Sequence, residues 1–109
     1  MNKLYEVVGN LTENGLEIKS FDWQIIHDNP KTYTCHRINR YEEDVKKIVK
    51  KNSLNKLYST IWLNTVNKIS FYCFCKESDI DMNKSLIKDN IKSTAIGFKN
   101  KIDSLIKHL

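Results

Sequence analysis

The hydrophobic pattern is most regular in the last third of the chain, where apolar residues recur at alternating spacings of four and three. The residues on this stripe are Ile91, Ala95, Phe98, Ile102, Leu105 and Leu109. Heptad spacing of this kind places all six on one face of an α-helix. Ser78, Asp79 and Asp81 precede the stripe, and their side chains suit the free N–H groups and positive dipole end of a first turn. The pattern predicts a long helix over residues 79–109.

The apolar stripe of this helix needs a surface to pack on. Upstream of the stripe, Lys84 and Lys88 hold the heptad positions, so the repeat is shorter than a coiled coil needs. This favours packing on the chain's own sheet, with a homodimer through the C-terminal helix as the alternative. A helix over residues 81–109 would be about 43 Å long, which is longer than one face of a domain of this size. One end would therefore project, or the helix would break near Asn90 or at Gly97, a glycine that suggests close approach to another element.

The first 76 residues show short apolar runs with the alternation typical of β-strands. The runs predict five strands, at residues 4–8, 16–25, 32–38, 56–63 and 69–75. Asn14-Gly15 is a strong hairpin signal between the first two, and residues 28–30, Asp-Asn-Pro, form a turn signal after the second. Within the second strand the period of two breaks, which predicts a bulge or bend near residues 19–20.

Residues 41–51 admit two interpretations. Acidic residues lead and basic residues follow, as in a short helix whose apolar side would be Val45, Ile48 and Val49. A strand over residues 45–49 is the competing interpretation, and the helix is our prediction. The last two strands are apolar or aromatic on both faces, which predicts a hairpin near the centre of the structure.

The predicted fold class is α+β. A mostly antiparallel sheet of about five strands carries a short inserted helix and a long C-terminal helix packed on one face. We expect a single domain, residues 1–109, with a strand-rich part over 1–76. The chain is 40% hydrophobic and 10% aromatic, enough for a core and too much for a disordered tail. It has neither a run of 18 apolar residues nor an apolar signal-peptide segment, which predicts a cytoplasmic protein without membrane contact.

The net charge of +5 is concentrated in the middle of the chain. Residues 1–30 have a net charge of −3, residues 31–56 of +5 and residues 57–109 of +3. Apart from Lys31, the cations of the middle segment are Arg37, Arg40, Lys46, Lys47, Lys50, Lys51 and Lys56. They are candidates for contact with phosphate or with an acidic partner surface, and a solvated helix in a lysine-rich protein explains them equally well. Tyr33, Tyr41 and Tyr58 are candidates for stacking on bases.

The two tryptophans are predicted to have different roles. Trp62 lies in the hairpin expected at the centre, so we assign it to the core. Trp23 is flanked by Asp22 and Gln24 and is the better candidate for an exposed anchor, because aromatic anchors dominate protein interfaces.

The order of these pieces resembles small uncharacterised proteins of phages and mobile elements in low-GC Gram-positive bacteria. The resemblance rests on Lys3-Leu4-Tyr5, Pro30-Lys31-Thr32-Tyr33-Thr34 and Tyr58-Ser59-Thr60-Ile61-Trp62-Leu63 before a lysine-rich helix. The strand at residues 69–75 departs from that pattern as an addition. Many such proteins are host-takeover or defence-inhibiting factors, anti-CRISPR proteins among them. The resemblance implies a binding protein that docks on a host protein or ribonucleoprotein, and the alternative is a nucleic-acid-binding module using residues 31–56.

The candidate chemistry of the cysteines and histidines is limited by their spacing. Cys73 and Cys75 are two apart on a predicted strand and share a face, while Cys35 and His36 are adjacent and face apart. A zinc site needs four nitrogen or sulfur ligands, and the usual C-x₂-C pairs are absent. Burial as small hydrophobes is the competing interpretation. His27 could approach Cys35 across a hairpin, but no nucleophile elbow or oxyanion loop accompanies the pair. We therefore predict no enzyme activity, metal or cofactor.

Overall fold

The structure is a computed structural model that describes residues 2–63 and 67–109. Within them, six strands form one sheet, followed by a long helix: β1 (Lys3–Thr12), β2 (Gly15–Asp28), β3 (Thr32–Ile38), β4 (Asp44–Lys50), β5 (Tyr58–Trp62), β6 (Lys68–Cys75) and α1 (Ile80–Ile106). Short 3₁₀ turns occupy Lys51–Ser53 and Glu77–Asp79. The strand order is β4-β3-β2-β1-β6-β5, and every neighbouring pair is antiparallel. The predicted α+β class, with a C-terminal helix on one face of an antiparallel sheet, is confirmed.

The β1–β2 hairpin follows the predicted turn. Gly15 has a φ of 113°, a conformation that costs glycine little, and it pairs with Thr12 at the end of the ladder. The register between β1 and β2 is unbroken, so there is no bulge at residues 19–20, where a bulge or bend was predicted. The irregularity lies between Ile25 and His27, where β2 pairs with β3.

The broken period of β2 has another cause, because its two halves pack against opposite faces of the sheet. Ile18 packs on the helix side, whereas Trp23 and Ile25 pack on the other side. The apolar residues of β2 therefore move from one face of the sheet to the other along the strand, although its pairing with β1 is regular.

The short helix predicted at residues 41–51 is wrong, because this segment forms the edge strand β4. Asn39 starts the turn that returns the chain: its side-chain oxygen accepts hydrogen bonds from the backbone N–H groups of Tyr41 and Glu43, at 2.9 and 3.0 Å. β4 then pairs with β3 along its whole length. Only Val49 of this strand is buried, and Ile48 is 68% exposed. Ladder hydrogen bonds to a neighbouring strand thus outweigh a local pattern that suits a helix.

The sheet curls, and each face carries a core. The helix face holds Val7, Ile69, Cys73, Cys75, Ile87 and Ile91. The concave face, on the other side, holds Leu4, Trp23, Tyr33, Cys35, Val49 and Phe74. Val49 on β4 belongs to the same cluster as Phe74 on β6, although three strands separate them in the sheet. The curl therefore brings one edge strand over the concave face.

Helix α1 is continuous, and its C-terminal end extends past the sheet. It has 27 residues, about 40 Å at 1.5 Å per residue. Ile87 and Ile91 are buried and Phe98 is half-buried, whereas Leu105 is 70% exposed and Leu109 fully exposed. The predicted stripe therefore packs only in its first half. No helix in the described part of the chain is long and apolar enough to cross a membrane.

The glycine that allows close approach is Gly9 on β1, and the close approach predicted at Gly97 is wrong. A Cβ atom at Gly97 would meet nothing within 4 Å. A Cβ atom at Gly9 would lie 2.3 Å from Cγ2 of Ile87 and 3.0 Å from Cδ1 of Ile91. The helix therefore rests directly on the backbone of β1.

The first turn of α1 is held by an asparagine pair. Asn83 is fully buried and donates to Oδ1 of Asn55 at 2.9 Å and to the backbone oxygen of Asp79 at 3.0 Å. Asn55 has a φ of 65°, which asparagine tolerates better than most residues. Asp79 occupies the N-cap, but its side chain accepts from Asn55 at 3.3 Å and not from a helix N–H. These bonds tie the loop before β5 to the start of the helix.

The last hairpin divides into an interior strand and an edge strand. β6 lies beside β1 and buries Cys73, Phe74 and Cys75 on its two faces, but the hairpin predicted near the centre forms the last two strands at one edge of the sheet. β5 is an edge strand, and the assignment of Trp62 to the core is wrong because this side chain is 59% exposed. The turn predicted between these strands falls mainly on residues 64–66, outside the described residues.

Candidate binding surface

Part of the concave face is left uncovered beyond its packed core. Side chains that alternate along a strand share a face, and so do residues paired across strands, which assigns eight large side chains to this open surface. We call it the aromatic–basic face: Lys19, Phe21, Arg37, Lys47, Tyr58, Trp62, Lys68 and Tyr72. Tyr58 is 45% and Trp62 59% exposed. The surface therefore presents aromatic rings and cations together.

Two tyrosines stack at the β5–β6 end of this surface. Tyr58 and Tyr72 are direct cross-strand partners, and their ring centroids lie 5.5 Å apart with an interplanar angle of 28°. Nζ of Lys47, from the curled edge strand β4, lies 5.5 Å from the Tyr72 ring centroid and 4.9 Å from that of Phe74. These residues and Ser53 are among those lining a cavity of about 250 Å³. The ammonium group of Lys47 therefore lies within cation–π distance of two aromatic rings.

Arg37 occupies the other side of the surface. Its guanidinium carbon lies 4.3 Å from the Phe21 ring centroid and 5.6 Å from that of Trp23. Glu6 lies beneath: its Oε1 accepts from the Trp23 indole N–H at 3.2 Å and lies 3.8 Å from Nη1 of Arg37. The carboxylate of Glu6 is thus engaged within the protein.

Trp23 is not an exposed anchor, and that prediction is wrong. Its side chain is only 4% exposed and packs edge-to-face on Phe74, with centroids 5.9 Å apart. The reason is that the apolar residues in the second half of β2, Trp23 among them, pack on the concave face. The exposed tryptophan is Trp62.

The seven cations predicted between residues 31 and 56 do not form one surface. Strand alternation sends Arg37 and Lys47 to the concave face and Lys46 and Lys50 to the opposite side. The remaining three lie elsewhere: Lys51 bonds Asp28 at 2.5 Å, Arg40 stacks on Tyr41 in the β3–β4 turn, and Lys56 is exposed in the loop before β5. The helical spacing that grouped four lysines does not apply to a strand.

Sequence reasoning missed most of the aromatic–basic face because its members are distant in sequence. Of the three tyrosines predicted to stack on bases, Tyr58 lies on this face, Tyr33 is buried and Tyr41 lies in a turn. The available signal was the same-face spacing of Tyr58 with Trp62 and of Lys68 with Tyr72 on two strands of one hairpin.

The carboxylates of the aromatic–basic face are paired. The described residues place Glu6 and Glu17 on this side of the sheet, and Glu17 forms an ion pair with Lys19. Lys47 and Lys68 make no ion pair among residues 2–63 and 67–109. Both lysines therefore remain available to an anionic group.

The three cysteines lie on opposite sides of the sheet. Cys35 is fully buried in the concave core, whereas Cys73 and Cys75 are fully buried on the helix face. Burial raises the pKa of Cys73 to about 12, and the neighbouring Cys75 adds to this. Burial also raises the pKa of Cys35. The three sulfur atoms do not converge on one point, and they pack as small hydrophobes.

We expect the three thiols to be protected in the folded protein. A pKa of about 12 in place of 9.0 lowers the thiolate fraction of Cys73 about a thousandfold, at tenfold per pH unit. A thiol-specific reagent at pH 8 should label the native protein slowly and the urea-unfolded protein at once. Because the folded state keeps a proton that the unfolded state loses, stability should fall as pH rises above 9. Rapid labelling of the native protein would contradict this.

The histidines do not complete a nucleophilic site with Cys35. His36 faces away from Cys35, as predicted, and its Nδ1 lies 3.0 Å from Oδ1 of Asp44. His27 is exposed and pairs with Thr34. Within the residues that the structure describes, no group of three or more His, Cys, Asp or Glu side chains has the arrangement of a metal site.

Comparison of the chain with protein-family models, with curated proteins and with solved structures finds no match. What the protein does must therefore be inferred from the chemistry of its own surface. That surface offers flat rings for stacking and cations for anionic groups, both of which are used in macromolecular recognition.

Proposed function

We propose that the protein is a small non-enzymatic binding protein that docks on a host macromolecule through its aromatic–basic face and inhibits or redirects it. The observation that carries the proposal is the difference between the two faces of the sheet. Helix α1 covers one face, and the other leaves Tyr58 and Trp62 about half exposed. Monomeric proteins rarely expose clustered apolar side chains without a binding role.

The shape of the surface beside the tyrosine pair favours a macromolecule over a small metabolite. The cavity beside the tyrosine pair has about 250 Å³, less than the roughly 300–1,000 Å³ of small-molecule sites. The open surface extends further, from Arg37 on β3 and Phe21 on β2 to Trp62 on β5, and adjacent strands lie about 4.8 Å apart. Tyr, Trp and Arg, all present here, are the residues that contribute most to macromolecular interfaces.

Origin and location complete the proposal. The resemblance to phage and mobile-element proteins supports a gene carried by such an element and a partner from its host, a protein or ribonucleoprotein. Three buried free cysteines suit a reducing compartment, which supports work in the cytoplasm.

A second candidate function is nucleic-acid binding, and the pairing of rings with cations favours it. Lys47 lies against Tyr72, and Lys68 is the cross-strand partner of Trp62. The basic residues involved are not those of the 31–56 segment as a whole, since only Arg37 and Lys47 of that segment reach this face.

An affinity capture from host lysate tests the proposed surface. The variant Tyr58→Ala/Lys47→Glu alters the aromatic–basic face, and the control Met82→Ala/Lys92→Glu makes a matched change on the exposed side of α1. We expect the wild type and the control to retain the same partner and the first variant to lose it. Each capture is run with and without nuclease and read by mass spectrometry. Equal retention by both variants would contradict the proposal, provided that circular dichroism shows both folded.

A further inference from the structure

We infer that the macromolecule bound by the aromatic–basic face is a single-stranded nucleic acid whose bases stack on Tyr58 and Trp62. This inference rests on the proposed function, because it takes the same face as the docking surface. It adds the chemical class of the partner and the role of each kind of side chain.

The first argument is the arrangement of the rings. The Tyr58 ring is stacked on Tyr72 at 5.5 Å, which supports it in one orientation and leaves it 45% exposed. Trp62 lies two same-face positions further along β5, about 13 Å away at 3.3 Å per residue, and is 59% exposed. Two rings this far apart receive different bases. Every base has a flat π-face, so aromatic platforms of this kind bind single strands with little sequence preference.

The second argument is that each aromatic group has a cation beside it. Nζ of Lys47 lies 5.5 Å from the Tyr72 ring centroid, beneath Tyr58 in the stack. Lys68 is the cross-strand partner of Trp62. A nucleotide offers a base to stack and a phosphate to neutralise, and this alternation of rings and cations matches that repeat.

The third argument concerns the carboxylates of the same face. Glu6 is engaged by the Trp23 indole and by Arg37, and Glu17 is paired with Lys19. Of the described cations on this face, Lys47 and Lys68 make no ion pair, and these two lie beside the rings. The local charge at the stacking positions is therefore positive, which is complementary to phosphate.

The curl of the sheet favours a single strand over a duplex. Edge strand β4 folds over the concave face far enough to place Lys47 of β4 against Tyr72 of β6. The Tyr58–Tyr72 pair and Lys47 line a common cavity at this point, where a duplex cannot bring its bases because they are stacked and paired within the helix. A single strand exposes its base faces and can enter.

Fluorescence anisotropy with labelled oligonucleotides tests the inference. The probes are poly-dT and poly-U of about 12 nucleotides, within the range of single-strand sites, and a duplex of the same length. We expect both single strands to bind more tightly than the duplex. Tyr58→Ala should weaken single-strand binding about 5- to 150-fold, because one base–aromatic stack contributes ~1–3 kcal/mol, and 1.4 kcal/mol corresponds to tenfold. Tyr58→Phe keeps the ring and should retain binding.

The role of the cations is read from the salt dependence. Lys47→Gln should reduce the slope of log K against log salt by about 0.7, the contribution of one phosphate contact to a single strand. Lys92→Gln, on the exposed side of α1, should leave the slope unchanged. Equal effects of the two substitutions would overturn the assignment of Lys47.

The outcomes separate this inference from the proposed function. Absence of single-strand binding, equal binding of the duplex, or binding indifferent to Tyr58→Ala would each overturn the inference. A further outcome is that the wild type binds no oligonucleotide and yet captures a host protein that survives nuclease treatment. If the Tyr58→Ala/Lys47→Glu variant does not capture that protein, the docking surface is supported and the inferred class of partner is wrong. If neither assay responds to Tyr58, both proposals fall.

Discussion

Ile87→Ala is expected to lower the free energy of unfolding by about 2–5 kcal/mol, the range of large-to-small substitutions in packed cores. Ile87 is fully buried between α1 and the sheet, in the cluster that contains Val7 and Cys73. The matched substitution Leu105→Ala, on the stripe predicted by heptad spacing, should change stability by no more than about 0.5 kcal/mol. Leu105 is 70% exposed. Urea unfolding followed by circular dichroism measures both.

The comparison also tests how the helix is stabilised. Equal losses for Ile87→Ala and Leu105→Ala would mean that α1 is held along its whole stripe, contrary to the structure. A loss for Leu105→Ala that grows with protein concentration would indicate pairing with a second copy, because the stability of an associating protein depends on concentration. The homodimer alternative thus stays a prediction with its own signature.

Gly9→Val is expected to destabilise the protein by about 1–3 kcal/mol, the usual cost of overpacking a core. The direction of the change in stability is informative, because valine has a higher strand propensity than glycine and would stabilise an open strand. At Gly9 the new Cβ would lie 2.3 Å from Cγ2 of Ile87, so either the helix or the Ile87 side chain must move. Thermal and urea unfolding give the change in stability.

Two further variants make the Gly9 result specific. Gly97→Ala should stabilise the protein by up to about 1 kcal/mol, because a Cβ there meets nothing within 4 Å. The double variant Gly9→Val/Ile87→Ala should lose less than the sum of its parts, since the valine enters space that the smaller side chain vacates. Additive losses, or a stabilising Gly9→Val, would show that α1 does not rest on β1 at this point.

Local patterns predicted most of the elements. The third strand, Thr32–Ile38, has the predicted bounds, and the Asn14-Gly15 hairpin and the C-terminal helix are present. These elements are governed by interactions between residues close in sequence, namely turn conformation, side-chain alternation and helix periodicity. A single sequence records such interactions directly.

The errors occur where a distant strand decides between local alternatives. Residues 41–51 suit a helix by charge order, but the free edge of β3 offers ladder hydrogen bonds along the whole of β4. Trp23 looked exposed from its polar neighbours, yet β2 changes which face it packs against. The prediction that the seven cations form one surface is wrong for the same reason. Side chains alternate between the two faces along β4, so lysines that would share one face of a helix lie on opposite faces of the sheet.

By itself, the sequence determined the α+β class, the approximate strand positions, the long terminal helix and the basic character of the chain. Periodicity and composition depend on residues close together in the chain, so they can be read from the sequence alone. Only the tertiary structure decided that Gly9 seats the helix and that Trp23 is buried while Trp62 is exposed. It also brought Lys47 from one edge strand to the tyrosine pair beside the other. These features depend on the curl of the sheet and on contacts between residues far apart in the chain, which no local spacing encodes.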